Sequence, residues 1–144
     1  MSGRSWSRLE IRIIDKTEFL SAERLLSIGS QSLAGAGRLH GSRDRVALPI
    51  SGDNPKAKAT VAQLIDRIGF DSVDAGTIAE SWRQQPGSPV YCINPTKEEL
   101  QQGLKNVDRS SLVITRDKGV EAYMPVADAD YQTQVNAHRS VHKK

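Results

Sequence analysis

The stretch from Val46 to Gly76 constrains the fold more than any other part of the chain, because a strand, a helix and a second strand follow one another in it. An apolar run at 46–50 is followed by Ser-Gly-Asp at 51–53, which is typical of a tight turn after a buried strand. A helix is predicted over 55–68 and a second strand over 70–74. A strand, helix and strand within about thirty residues predict a parallel pair with a right-handed crossover.

The boundaries of the predicted helix rest on residues with defined preferences. Asn54 can cap its first turn, and Pro55 has no N–H to leave unpaired at the first helical position. Gly69 follows the last apolar position and predicts a left-handed stop. The apolar positions fall on one stripe and comprise Ala57, Val61, Leu64, Ile65 and Ile68. The polar positions expected to face water are Lys56, Lys58, Gln63, Asp66 and Arg67.

The residues before Val46 give weaker signals. Apolar and charged residues alternate over 8–14, which predicts a half-buried strand. A less well defined helix is predicted over 20–33, and Gly29 is a possible stop within that stretch. Its apolar side would comprise Phe19, Ala22, Leu25, Leu26 and Ile28. The glycine-rich and charged segment at 35–44 is predicted to be the most mobile loop.

The residues after Gly76 predict further short elements. About two turns of helix are expected over 77–84, and then a loop bounded by two prolines. A helix opens near Pro95, where Thr96 and Glu99 have the spacing of a capping box.

Towards the carboxyl end the pattern weakens. The apolar run within 110–115 predicts a short strand, and a short helix is expected near 131–138. The basic tail at 138–144 is predicted to be disordered.

Composition limits the functional classes. A chain of 144 residues with 38% hydrophobic and 26% charged residues predicts one core. The net charge of +3 is spread along the sequence, so a nucleic-acid partner is not expected. One cysteine excludes an internal disulfide, and no apolar run approaches the roughly 20 residues that span a bilayer. We therefore expect a cytoplasmic protein without a membrane partner.

The stretch at 48–92, LPISGDNPKAKATVAQLIDRIGFDSVDAGTIAESWRQQPGSPVYC, also resembles a known family. It is similar to the C-terminal part of the small Rossmann-type NADP oxidoreductases related to the deazaflavin-dependent (coenzyme F-420-dependent) NADP reductases. The matching pieces occur in order: the strand closed by Ser51-Gly52-Asp53, the helix ending in Ile68-Gly69-Phe70-Asp71, the strand end Val73-Asp74-Ala75-Gly76, Glu80-Ser81-Trp82-Arg83, and Gln85-Pro86-Gly87-Ser88-Pro89-Val90-Tyr91. A weaker match at 27–34 extends the resemblance upstream.

The resemblance implies an α/β fold, a partial Rossmann-like three-layer arrangement with a small, mainly parallel sheet. In that family a G-x-G-x-x-G turn in the N-terminal half holds the dinucleotide, and the present sequence lacks it. We therefore expect the second part of such an enzyme, arising from truncation, frame-shift or divergence. The expected divisions are an N-terminal segment at 1–45, the βαβ core at 46–92, and a C-terminal segment at 93–144.

The activity implied by the resemblance is hydride transfer between NADPH and a deazaflavin-type acceptor, which requires no acid or base from the protein. The implied cofactor-binding positions are Gly52, Asp74, Gly76 and Trp82. Without the glycine-rich half, little or no activity is expected from this chain alone. The alternative is a small non-enzymatic α/β binding module or an inactive remnant.

Each candidate position also has a structural interpretation. Helix capping alone can explain the turn at 51–54, a tight turn can explain 74–77, and Trp82 can be a core or subunit contact. The segment at 35–41 has one residue too many for a phosphate-binding fingerprint. Cys92 is interpreted as idle, and the three histidines have no metal-ligand spacing. An apolar strand edge left open by a missing neighbour could pair in a homodimer.

Overall fold

The computed structural model describes residues 28–142, together with two short strands further upstream. These strands, β1 (Ile13–Asp15) and β2 (Glu18–Leu20), pair antiparallel with each other. The first described helix is α1 (Ser30–Gly35), and residues 36–46 connect it to the next strand as a loop with turns.

The predicted strand–helix–strand unit is confirmed. Strand β3 (Ala47–Ile50) and strand β4 (Asp71–Asp74) are parallel, with Ala47 opposite Asp71 and Ile50 opposite Asp74. The crossover is α2 (Pro55–Arg67). The Asn54 side chain accepts hydrogen bonds from the N–H groups of Lys56 and Ala57, and Gly69 has a φ of +94°. The cap and the left-handed stop are therefore the ones the sequence predicts.

The two faces of β3 belong to different hydrophobic clusters. One cluster joins β3 to α2, and it contains Ile28, Ala36, Val46, Leu48, Ile50, Val61, Ile65 and Phe70. The other joins the sheet to α3 (Lys97–Lys105), and it contains Ala47, Val73, Ala75, Val90, Leu100 and Leu104. Helices thus cover both faces of a two-stranded parallel sheet, which makes the fold a mixed α/β arrangement.

The remaining described elements are helical. A 3₁₀ helix covers Ile78–Gln84, where about two helical turns were predicted. The capping box of α3 is confirmed, since the Glu99 N–H donates to Thr96 Oγ1 and the Thr96 N–H donates to Glu99 Oε2. Helix α4 (Leu112–Tyr123) continues into a short 3₁₀ turn (Met124–Val126), and α5 (Tyr131–Ser140) follows. No helix within the described part of the chain is long and apolar enough to cross a membrane.

The strand predicted at 110–115 is wrong. Helix α4 begins at Leu112, which is 2% exposed, whereas Val113 and Ile114 are 56% and 62% exposed. A continuous apolar run fits a buried strand only if a neighbouring strand accepts it, and no described strand lies beside this segment. The run therefore folds as a helix that buries one of its three apolar residues.

The helix predicted over 20–33 is confirmed only at 30–33, where α1 begins. Residues 18–20 form a strand, and Gly29 precedes α1 as its N-cap instead of stopping a helix. Residues 21–27 lie outside the described part of the chain. The strand predicted at 8–14 coincides with β1 only at 13–14, and residues 8–12 are not described.

The basic tail predicted to be disordered is ordered through residue 142. Asp130 caps α5 by accepting from the N–H groups of Gln132 and Thr133. Near the end of α5, Arg139 donates to the carbonyl oxygens of Ile93 at 2.8 Å and Asn94 at 3.1 Å. A basic residue with carbonyl partners this far away in sequence cannot be recognised from composition.

The open apolar edge expected for β3 is absent. All four β3 residues are buried, the Ala47 N–H donates to the Pro95 carbonyl oxygen at 2.8 Å, and Pro49 has no N–H. The segment at 93–96 therefore covers this edge, which removes the stated basis for a homodimer at β3. A second way to cover an open edge, with residues 9–14 filling the gap, falls mostly outside the described part of the chain; in the described part, residues 13–15 pair with β2.

Acidification is expected to destabilise the packing of α5. His138 stacks on Tyr123 with ring centroids 5.3 Å apart and meets Tyr91 edge-on at 5.9 Å. Burial, followed by the charge of His142, lowers the pKa of His138 below its ordinary 6.5, and burial lowers the pKa of His142 likewise. The unfolded chain therefore binds more protons as pH falls through that value, so stability present above it is lost.

Urea titrations between about pH 7.5 and about pH 5.5 measure this effect. The free energy of unfolding should fall towards the lower pH, and His138→Phe, which keeps an aromatic ring, should flatten the decline. His40→Gln is the comparison, because His40 is 84% exposed and pairs with Asp66 at 3.0 Å, away from α5, so the decline caused by His138 should remain. An equal decline in the wild type and His138→Phe would refute the assignment.

Candidate functional site at the ends of the parallel strands

Three of the four predicted positions meet at the carboxyl edge of the sheet. The Gly52 N–H donates to the Gly76 carbonyl oxygen at 3.0 Å, and the Gly76 N–H donates to Asp74 Oδ1 at 2.9 Å. Gly52 follows β3, whereas Asp74 ends β4. We call Gly52, Asp74 and Gly76 the strand-end site.

Lys58 closes over this site, although the sequence pattern predicts that it faces water. Its Nζ donates to both carboxylate oxygens of Asp74 at 2.8 Å and lies 3.4 Å from the Gly76 carbonyl oxygen. The side chain is only 19% exposed. One sequence signal could have predicted this contact. Lys58 lies in the first turns of the crossover helix, which face the end of the neighbouring strand.

The carboxyl group of Asp74 stays ionised in this setting. Partial burial acts to raise its pKa, but hydrogen bonds from Lys58 and from the Gly76 N–H outweigh it, and the pKa lies below its ordinary value. A carboxylate neutralised by a lysine is a poor proton acceptor. Asp74 is therefore better suited to provide a fixed negative charge than to act as a general base.

Two acidic side chains that accept hydrogen bonds from backbone N–H groups fix the backbone around the strand-end site. Asp53 Oδ1 accepts from the Ile78 N–H at 3.1 Å, which ties the turn after β3 to the 3₁₀ helix after β4. Glu80 Oε2 accepts from the Thr77 N–H at 3.1 Å. Gly76 has a φ of +98°, and a Cβ there would overlap the Glu80 carboxylate. Both findings explain glycine at 76 on structural grounds.

The sequence pattern does not predict a buried polar pair that lies next to the strand-end site. The Gln84 side-chain amide donates to Ser51 Oγ, and the two residues are 3% and 2% exposed. Gln84 Oε1 has no hydrogen-bond partner within the described structure. The partners lie 33 residues apart, so no local pattern reveals them.

Trp82, the fourth predicted position, contacts arginines. It lies on the 3₁₀ helix with its ring centroid 5.8 Å from the Arg83 guanidinium carbon and 5.3 Å from that of Arg109. Arg83 Nη2 pairs with Glu80 Oε1 at 2.9 Å. Trp82 is half-buried, so part of its surface is open to solvent.

Comparison with known proteins adds one relative. No protein-family model matches the chain, and no solved structure matches it. Over 54 residues the chain is 52% identical to YjhV of Escherichia coli (strain K12). The aligned stretch makes up 38% of this chain and 39% of YjhV. The name YjhV states no activity, so the comparison gives similarity without a function.

Metal and thiol chemistry find little support in the described residues. No group of three or more histidine, cysteine, aspartate or glutamate side chains could hold a metal ion in the part of the chain that the structure covers. Burial raises the pKa of Cys92 to about 11. Because the thiolate is the reactive form, Cys92 is a weak nucleophile near neutral pH.

Proposed function

We propose that residues 46–92 form the C-terminal part of the site of a Rossmann-like, NADP-dependent oxidoreductase. The reaction would be hydride transfer between NADPH and a deazaflavin-type acceptor. The observation that carries the proposal is the convergence of Gly52, Asp74 and Gly76 at the carboxyl ends of parallel strands. Ligands of open α/β sheets bind at that edge.

The chemistry of hydride transfer suits this set of residues. The reacting carbons belong to the two cofactors, and the protein holds them face to face. Gly52 and Gly76 place no side chain of their own at this edge, where the neighbouring Lys58 and Glu80 side chains lie close to their Cα atoms. Lys58 and Asp74 supply a fixed dipole there. The chain has no G-x-G-x-x-G turn, so most of the affinity for the NADPH pyrophosphate must come from elsewhere.

A non-enzymatic binding module is the second candidate. It is favoured by one observation: the strand-end groups already bind one another. Lys58 pairs with Asp74, and Asp53 caps the Ile78 N–H, so no ligand is needed to complete these hydrogen bonds. In this alternative the same residues close the sheet edge and carry no cofactor.

Complementation separates the two candidates. The full 144-residue chain alone should show no reductase activity and little NADPH binding by nicotinamide fluorescence. Adding the separately produced glycine-rich half of an intact deazaflavin-dependent NADP reductase should restore NADPH oxidation by a deazaflavin acceptor. Gly52→Val should reduce the restored rate at least about tenfold, because a Cβ at 52 would lie 3.2 Å from Lys58 Cγ and would push Lys58 away from Asp74.

Gly29→Val is the matched control, because a Cβ at Gly29 would have nothing within 4 Å. It should leave the restored rate unchanged. A folded mixture that neither binds nor oxidises NADPH would contradict the oxidoreductase proposal and favour the binding module. Equal rates in the two glycine variants would contradict the role of Gly52.

A further inference from the structure

We propose that Trp82, Arg83 and Arg109 form a binding site for a planar aromatic ligand that carries a phosphate or carboxylate group. We call these three residues the Trp82 platform. The inference names the ligand class of the proposed oxidoreductase site and in that respect rests on the proposed function. It needs neither the glycine-rich half nor hydride transfer in order to be tested.

Contacts at both ends of the 3₁₀ helix hold the two platform residues that lie on it, Trp82 and Arg83. At its start the Ile78 N–H donates to Asp53, and the Thr77 N–H donates to Glu80. At its end Gln84 is buried against Ser51. Trp82 and Arg83 lie between these anchors, so the backbone that carries them is held in place before any ligand arrives, which lowers the entropy lost on binding.

One of the two positive charges of the Trp82 platform has no carboxylate partner among the described residues. Arg83 pairs with Glu80 at 2.9 Å, whereas the exposed Arg109 has no ion pair within the described residues. Its neighbour Asp108 is engaged elsewhere, because the Ser110 hydroxyl lies 2.8 Å from each of its carboxylate oxygens. One positive charge therefore stands against an indole ring without a carboxylate partner.

This combination recognises two properties of a ligand at once. A guanidinium held against an aromatic ring keeps N–H groups at its edge for a phosphate or carboxylate, and it can stack on a second planar ring. The half-buried indole offers apolar surface for that ring. A neutral ring would lose the ionic contact, and inorganic phosphate would lose the stacking.

Flavin mononucleotide and riboflavin separate these contributions, because they share a ring system and differ by one phosphate. In calorimetric titrations of the full chain at low salt, flavin mononucleotide should bind at least about tenfold more tightly than riboflavin. Arg109→Gln should abolish this preference, and added salt should weaken it. Inorganic phosphate alone should bind more weakly than flavin mononucleotide.

Arg43→Gln is the matched control, because it removes one exposed positive charge from a residue that makes no described contact with Trp82. It should keep the preference for flavin mononucleotide. Circular dichroism verifies that both variants are folded. Equal affinities for the two flavins, equal losses in the two arginine variants, or no flavin binding up to millimolar concentration would each overturn the proposal.

The complementation experiment and the flavin titration test the two proposals independently. Flavin mononucleotide binding that requires Arg109, without restored NADPH oxidation, would refute the hydride-transfer reaction and leave the platform as the site of a binding module. Restored oxidation without that binding would refute the platform alone.

Discussion

Gly87→Ala should lower the free energy of unfolding by roughly 3 kcal/mol or more, because it combines backbone strain with overpacking. Gly87 has a φ of +92°, where a side chain is disfavoured. An added Cβ would overlap the Leu112 carbonyl oxygen and lie 2.8 Å from the Arg116 backbone nitrogen. Both atoms belong to the backbone of the first turns of α4, so neither can rotate away.

Gly41→Ala isolates the backbone part of this effect. Gly41 has a φ of +84°, but a Cβ there would have nothing within 4 Å. Its cost should be about 1 kcal/mol. Urea denaturation of both variants measures the difference. Equal losses would mean that the loop carrying Gly87 does not pack against α4.

Arg45→Ala should be the second large perturbation, with a loss of roughly 2–5 kcal/mol, because it truncates a long side chain that is buried over its whole length. The Arg45 side chain is 1% exposed, and Nη1 lies 2.8 Å from Asp66 Oδ1 and 3.2 Å from Asp71 Oδ1. Nη2 donates to the Asp66 backbone carbonyl oxygen at 2.7 Å. The guanidinium thus joins the end of α2 to the start of β4, and its removal leaves a cavity and takes a cationic partner from both carboxylates.

Two further variants define the origin of the loss. Arg43→Ala, two residues away and exposed, should change stability by no more than about 0.5 kcal/mol. Arg45→Met keeps most of the buried stem and should fall between them. If Arg45→Ala were as mild as Arg43→Ala in chemical denaturation, the Arg45 side chain would not be packed between α2 and β4 as described.

Local signals explain what the sequence predicts correctly. Asn54 caps α2 through N–H groups two and three residues away, and Thr96 and Glu99 close a box within one turn. The parallel pairing of β3 and β4 follows from the length of the crossover between them. These contacts span few residues, so composition and spacing are sufficient to predict them.

The features that the sequence does not reveal are held by distant partners. Arg139 reaches Ile93 across 46 residues, and Gln84 reaches Ser51 across 33. Helix α4 replaces a predicted strand because an apolar run does not specify which neighbour will bury it. Contacts between distant segments decide whether such a run becomes a strand or a helix, and local sequence patterns do not reveal those contacts.

The candidate site divides in the same way. The common edge of parallel strands places Gly52, Asp74 and Gly76 together, and this follows from topology alone. Helical periodicity predicts that Lys58 faces solvent. This prediction fails because periodicity describes the surroundings of a helix only on average. The contact between Trp82 and Arg109 joins segments that no periodic pattern links.

The cover over β3 limits where this sheet can be extended. A strand added beside β3 would have to displace the Pro95 carbonyl oxygen from the Ala47 N–H, and it would receive no hydrogen bond from Pro49. Arg139 fastens the covering segment through the carbonyl oxygens of Ile93 and Asn94. A partner polypeptide therefore cannot extend the sheet in register at β3 unless the segment at 93–96 is first released from it.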